Sequence, residues 1–187
     1  MIAPVLKTLF RKDPVRSQAE RLYAALADQA RAPEFYKAGN VPDTPEGRFD
    51  LLSVHMFLAI RRLREGAPGT DRLVRLLQEV FFERLDSALR EMGVGDLSVG
   101  RKIRGLAEAF YGRFAAYESG LSDGGLSLES ALARNVLGEN ETGRASRLGA
   151  YVRKAANSLA DEAIDRLEIG IPKLREISLL EFSGERP

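Results

Sequence analysis

The stretch from Pro45 to Glu65, PEGRFDLLSVHMFLAIRRLRE, constrains the fold more than any other part of the chain. At about 100° per residue, its apolar side chains occupy one helix face and much of the opposite face over the first three turns. A water-soluble helix of this kind is either the buried centre of an α-helical domain or leaves apolar surface for a partner. The last turn becomes basic, which suits the negative end of the helix dipole. The stretch carries no obvious chemistry and indicates helical packing and binding.

Helix signals dominate the rest of the chain, and the alternation typical of strands is nearly absent. Asp13 followed by Pro14 places a capping side chain before a proline, which is typical of a helix start. Apolar residues recur every three or four positions over residues 73–92 and again over residues 99–117. We therefore predict an all-α fold, a single compact helical domain of about six to seven helices over residues 1–187.

Several helix boundaries also follow from capping and breaking residues. Ser98 is predicted to cap the helix that carries residues 99–117, and Ser127 to cap a short helix that ends before Gly138. Residues 142–168 read as a last long helix. The apolar tail of residues 171–182 is predicted to dock back on the body, as a strand or a short helix.

Composition narrows the class of protein. The charges are balanced, with 28 Lys and Arg against 27 Asp and Glu, so net charge gives no argument for binding DNA. Because the chain has no cysteine, disulfides and thiolate zinc sites are excluded. The longest uncharged run, Leu51–Ile60, reaches roughly 15 Å as a helix, against a hydrocarbon core of about 30 Å. No signal peptide is apparent, so we expect a soluble, cytoplasmic protein without a transmembrane segment. The amphipathic segment Met1–Lys12 could close the core or contact an anionic membrane surface peripherally, at the inner face of the cytoplasmic membrane.

His55 is the single histidine, and it lies at the edge of the apolar face of the central helix. A structural role, as a hydrogen-bonded side chain at the boundary of the core, is favoured over a general base or a haem ligand. No nucleophile-elbow sequence accompanies it, and a four-helix di-iron site needs a second histidine. We therefore predict no enzyme, no metal site and no cofactor.

The candidate partner-binding residues lie on two predicted helices. On the central helix, Leu51, Val54 and Leu58 form the side that is predicted to bind a partner, with simple core packing as the alternative. Two basic clusters could attract RNA or acidic loops of a partner. These clusters are Arg61, Arg62 and Arg64 in one helix, and Arg101, Lys102 and Arg104 in another.

Three segments stand out by their order along the chain: APEFYKAGNVPDTPEGRFDLLSVHMFLAIRRLR, then FFERLDSALREMGVGDLSVGRKIRGLAEAFYGRFAAYESGL, then LESALARNVLG. Their most specific marks are Phe35-Tyr36, the Phe49–Arg64 helix with His55, Phe81-Phe82 followed by Asp86, and Arg101–Tyr117. This order resembles the ubiquinol–cytochrome c chaperone family, in its bacterial branch, over roughly residues 15–140. The resemblance does not extend to residues 141–187.

The resemblance implies an assembly factor that binds newly made cytochrome b during biogenesis of the respiratory ubiquinol–cytochrome c reductase. It also implies contact with a ribosome and with a small partner protein, as for mitochondrial members. Two alternatives stay open at this point. One is a helical adaptor or ribosome-associated RNA-binding protein, whose affinity would fall steeply with salt. The other is a haem-handling protein or enzyme that uses His55.

Overall fold

The computed structural model describes residues 13–66, 69–122, 127–138, 142–167 and 171–182, without the side chains of residues 142–144 and 172. The predicted segment Met1–Lys12 lies outside the described residues. The α-helices are α1 (Pro14–Ala30), α2 (Pro33–Lys37), α3 (Pro45–Gly66), α4 (Asp71–Glu91), α5 (Asp96–Leu121), α6 (Leu128–Leu132), α7 (Thr142–Ala160) and α8 (Leu174–Phe182). A π-helical turn, Ala133–Leu137, continues α6, and Ile164–Arg166 and Ile171–Lys173 form 3-10 turns. No residue in these described ranges lies in a strand, and the prediction of an all-α fold is confirmed.

Helix α3 lies at the centre of the structure, where it contacts α1, α4, α5 and α7. Its apolar residues are buried on every side over most of its length, which explains why its sequence is apolar nearly all round. Position 47, where this helix meets the preceding loop, has room only for glycine, because a Cβ atom there would lie 2.0 Å from the Pro42 carbonyl oxygen. Within the described ranges, no helix is both long enough and apolar enough to cross a membrane.

The start of α1 and the start of α6 agree with their sequence signals. The Asp13 carboxylate accepts a hydrogen bond from the Val15 amide at 3.0 Å. Ser127 caps α6, because its Oγ accepts from the Ser130 amide at 3.2 Å. These side chains satisfy backbone donors that have no partner inside the helix.

The long helix predicted over residues 142–168 is wrong beyond residue 160, because α7 ends at Ala160. Arg62 of α3 explains the early end. Its guanidinium donates to the carbonyl oxygens of Leu159 at 2.7 Å and of Glu162 at 2.6 Å. A side chain from another helix therefore binds the backbone where α7 ends, and the Leu159 oxygen also accepts from the Glu162 amide at 3.2 Å. The chain then passes through a 3-10 turn, Ile164–Arg166, instead of continuing the helix.

Helices α4 and α5 form a hairpin whose connection is tightly hydrogen-bonded. Gly93 adopts φ +82°, and the Val94 amide donates to the Leu89 carbonyl at 3.0 Å, as in a Schellman turn. Arg90 then joins the two helices through ion pairs with Asp86 and Asp96. Helix α5 begins at Asp96, so Ser98 lies inside the helix and is not its cap, contrary to the prediction.

The carboxyl-terminal segment completes the core. Tyr151 of α7 and Phe182 of α8 both pack edge-on against Phe35 of α2, with ring centroids 4.9 and 5.2 Å away. All three side chains are at most 2% exposed. The predicted docking of the tail is therefore confirmed, with a helix rather than a strand.

Candidate functional site

His55 is held in a closed network of hydrogen bonds inside the core. Its Nδ1 lies 2.8 Å from the Leu51 carbonyl oxygen, and its Nε2 lies 2.7 Å from the Tyr151 hydroxyl. Because a carbonyl can only accept, Nδ1 carries the proton and the neutral ring accepts from Tyr151 at Nε2. The Tyr151 oxygen in turn accepts from the Gln29 amide at 3.3 Å. Both imidazole nitrogens are therefore engaged, which leaves neither nitrogen available to a substrate or a haem iron.

Burial controls the charge of this network. Desolvation lowers the pKa of His55 to about 4, and the hydrogen bond to the Leu51 carbonyl opposes that effect only in part. Desolvation likewise raises the pKa of Tyr151. His55 is therefore neutral at physiological pH. Its side chain is hydrogen-bonded as predicted, but it lies fully inside the core and not at the predicted boundary, because Tyr151 supplies a buried partner. Among the described residues, no group of three or more His, Asp and Glu side chains could hold a metal ion.

The leucine and valine side chains that were predicted to hold a client are core residues. Leu51, Val54 and Leu58 are 0 to 2% exposed, because the helices packed around α3 cover both of its faces. The prediction that they form an open surface is corrected by this burial.

The first basic cluster also serves the fold. Arg61 forms ion pairs with Glu65 at 2.8 Å and with Glu118 of α5 at 3.4 Å. Arg62 binds the last carbonyl oxygens of α7. Arg64 is exposed, but its guanidinium lies 4.9 Å from the centroid of the Phe114 ring. These side chains join α3 to its neighbours and do not form a separate basic surface.

The second basic cluster differs from the first. Arg101, Lys102 and Arg104 are exposed on the first turns of α5, and none forms an ion pair with another described residue. The structure therefore leaves these three cations open to a partner. They lie close to the turn of the α4–α5 hairpin.

A partly buried ion pair connects α5 to α3. Arg113 Nη2 lies 2.7 Å from Asp50 Oδ1 without the alignment of a hydrogen bond, and the same guanidinium lies 5.4 Å from the Phe49 ring centroid. Desolvation raises the pKa of Asp50 to about 6, although the Arg113 charge acts to lower it. The buried Tyr117 hydroxyl nearby has no hydrogen-bond partner among the described residues. This cluster holds the inner face of α5 in place and leaves its outer face free.

An open, partly apolar depression lies between α4 and α5, and we call it the hairpin groove. It is a shallow depression of about 400 Å³. Its floor contains the half-buried Phe82 ring and Tyr111, which is 50% exposed. Behind them, Phe81 and Phe110 form an aromatic cluster with centroids 5.2 Å apart, which supports the floor. The remaining lining residues are Arg75, Gln78, Glu79 and Glu83.

The rim of the groove is polar and largely paired. Arg16 of α1 donates to Glu83 at 2.5 Å, and Arg75 lies 4.0 Å from Glu79. Such a surface, with an aromatic floor and a polar rim, is typical of protein-binding sites. The sequence prediction missed this groove. The doublet Phe81-Phe82 was its one signal, because adjacent helix residues point about 100° apart and the Phe82 ring lies at the edge of the core that buries Phe81.

Comparisons with known proteins place the chain in a family. The model of the ubiquinol–cytochrome C chaperone family matches residues 37–174. Ubiquinol-cytochrome-c reductase complex assembly factor 1 of Xenopus laevis is 22% identical over 152 residues, which cover 80% of this chain and 76% of that protein. The protein of the same name from Homo sapiens is 21% identical over 147 residues, covering 78% of this chain and 49% of that one. The chain thus spans about half the length of the human relative.

A solved structure agrees with these relatives. The crystal structure of the Cbp3 homolog from Brucella abortus matches with a TM-score of 0.73 and 34% sequence identity. The match covers 89% of this chain and 93% of that chain. The family model also extends to residue 174, past residue 140 where the resemblance seen in the sequence ended, and so includes α7 with Tyr151. The chain belongs to the ubiquinol–cytochrome c chaperone family.

Proposed function

We propose that this protein is a chaperone for assembly of the ubiquinol–cytochrome c reductase, and that it binds unassembled cytochrome b in the hairpin groove without catalysing a reaction. Family membership supports the assembly role. The observation that carries the choice of surface is the exposure of Tyr111 beside Phe82 on a supported aromatic floor. Neither the adaptor alternative nor the haem-handling alternative is favoured.

The chemistry of the client fits this surface. Cytochrome b is a bundle of apolar helices, and an apolar helix can lay one face into a groove. Covering the exposed parts of Tyr111 and Phe82 removes on the order of 150 Å² of apolar surface from water. At roughly 25 cal/mol/Å² this contributes about 4 kcal/mol, before the costs of association. Binding of that size is reversible, which a chaperone that later releases its client requires.

The proposal extends to where the protein acts. Because cytochrome b is a membrane protein, its chaperone works at the membrane surface, and we propose peripheral contact at the cytoplasmic face. Contact with a ribosome and with a small partner protein is proposed from the family resemblance alone.

Complementation in the host tests the proposed surface. The strain lacking the gene receives either the natural protein or Tyr111→Glu, which puts a charge on the groove floor without disturbing the core. We expect Tyr111→Glu to lower the amount of assembled reductase and of stable cytochrome b, while another respiratory complex keeps its normal level. The matched control is Leu180→Glu on α8, where the natural side chain is 75% exposed. Normal reductase with Tyr111→Glu, or equal loss with Leu180→Glu, would contradict the assignment to the groove. Normal reductase in the deletion strain itself would end the proposed function.

A further inference from the structure

The end of α4 and the first turn of α5 carry exposed apolar side chains that no other described residue covers. We call residues 92–104 the hairpin tip. Leu97 is 99% exposed and Met92 is 61% exposed. The internal packing of the described residues therefore gives no reason for these two side chains to be apolar.

The same tip carries the open cations. Leu97, Arg101 and Arg104 lie within about 60° of one another around α5, and they span roughly 10 Å along its axis. Lys102 is exposed on an adjacent face. An aliphatic side chain at the end of a helix, followed one and two turns later by guanidinium groups, matches the order of layers in a lipid surface.

Nearby carboxylates do not cancel these charges. Asp86 and Asp96 are both engaged by Arg90. Glu91 is exposed at the end of α4, and Glu108 lies one turn beyond Arg104. The stretch of residues 84–104 holds five basic and three acidic side chains, although the whole chain is nearly neutral. The positive charge is therefore concentrated at the tip.

The tip is also held rigidly. The Schellman turn at Gly93 and the Arg90 ion pairs fix the relative position of the two helix ends. A preformed surface loses little conformational entropy when it binds. The tip therefore presents its apolar and basic groups together without a folding step.

We propose that the hairpin tip docks on an anionic lipid surface, with Leu97 and Met92 entering the interface and Arg101, Lys102 and Arg104 contacting lipid headgroups. This inference rests on the proposed function, because it would bring the hairpin groove next to the membrane that receives cytochrome b. A nucleic acid could also attract the cations, but it would leave the exposed aliphatic side chains without a role. Each cation near an anionic surface contributes on the order of fivefold in affinity, and burial of the Leu97 side chain about tenfold.

Sedimentation of the full chain with lipid vesicles tests the proposal. The vesicles contain equal parts phosphatidylcholine and phosphatidylglycerol, or phosphatidylcholine alone, and no cytochrome b. We expect binding to the anionic vesicles and at least tenfold weaker binding to the neutral ones. Replacing Arg101, Lys102 and Arg104 together by Gln should lower binding roughly a hundredfold. Leu97→Ser should lower it several-fold to tenfold.

Two matched controls separate the tip from general effects. Replacing Lys37, Arg134 and Arg147 by Gln removes three exposed cations elsewhere and gives the same net charge. Leu180→Ser removes an exposed leucine from α8. We expect both controls to bind vesicles within about threefold of the natural protein.

Several results would overturn the proposal. They are absence of binding to anionic vesicles, equal losses in the control variants, and full binding by Leu97→Ser, which would indicate charge attraction alone. Binding of single-stranded RNA through the same three cations, without vesicle binding, would show that the tip binds a nucleic acid and not a lipid surface. Because Tyr111→Glu should leave vesicle binding unchanged, failure of lipid docking is distinguishable from failure of client binding.

Discussion

Removing the Tyr151 hydroxyl tests whether His55 is part of the packing core. Tyr151→Phe keeps the ring against Phe35 but deletes the donor to His55 Nε2 and the acceptor for Gln29. The short bond of 2.7 Å is buried, so its loss leaves an unsatisfied acceptor that costs about 2 kcal/mol. The longer Gln29 contact of 3.3 Å adds about 1 kcal/mol.

The expected loss in the free energy of unfolding is therefore about 3 kcal/mol. For a domain of this size, that corresponds to a decrease in Tm of roughly 6 to 12 °C. Urea unfolding, followed by the helical circular dichroism signal, measures the free energy directly. The matched control is Tyr111→Phe, whose hydroxyl is on an exposed side chain and should change stability by less than about 0.5 kcal/mol.

A double variant sharpens the result. When His55→Leu is combined with Tyr151→Phe, no imidazole acceptor is left unsatisfied, and part of the lost stability should return. A loss below about 0.5 kcal/mol in Tyr151→Phe alone would refute the network. So would a double variant whose loss equals or exceeds the sum of the two single losses.

Three further predictions concern pH, a helix end and two glycines. Because the pKa of His55 falls from 6.5 to about 4 on folding, the unfolded state takes up a proton first on acidification. Lowering the pH from 6.5 to 4 should therefore decrease the free energy of unfolding by up to about 3 kcal/mol. The raised pKa of Asp50 acts in the opposite direction, so Asp50→Asn should make this loss in urea unfolding steeper. Arg62→Gln should cost about 1 to 2 kcal/mol, and hydrogen exchange should show the end of α7 opening more often. Gly47→Ala should destabilise the protein by about 1 to 3 kcal/mol in thermal unfolding, because the added Cβ atom has no room. Gly112→Ala, whose Cβ atom would lie in open space, should stabilise it by up to about 1 kcal/mol. The opposite order would contradict the close approach of the Pro42 carbonyl to the start of α3.

The sequence was sufficient for the fold class because helix periodicity is a local property. The apolar residues of α4 and α5 recur at intervals set by 3.6 residues per turn, and Asp13 and Ser127 cap helices through bonds to residues two or three positions away. The end of α7 could not be predicted in this way. It depends on Arg62, which is nearly a hundred positions away in the chain.

The candidate surface was harder to predict for a related reason. Periodicity shows that Leu51, Val54 and Leu58 are apolar, but not whether another helix covers them. That depends on how α1, α4, α5 and α7 surround α3. Tyr111 is the opposite case. It is an aromatic residue in a helix with a regular apolar pattern, yet it lies on the outer face and is half exposed. Family resemblance indicated the biological role, whereas the surface proposed for it came only from the tertiary arrangement.

The contribution of α7 and α8 to the core has a consequence for synthesis of the protein. Phe35 and His55 are made early, yet their buried neighbours Tyr151 and Phe182 follow about a hundred or more residues later. Until α8 has left the ribosome, the helices made before it lack the side chains that keep water away from this pocket. A newly made copy therefore depends on residues 151–182 before it can close its own core.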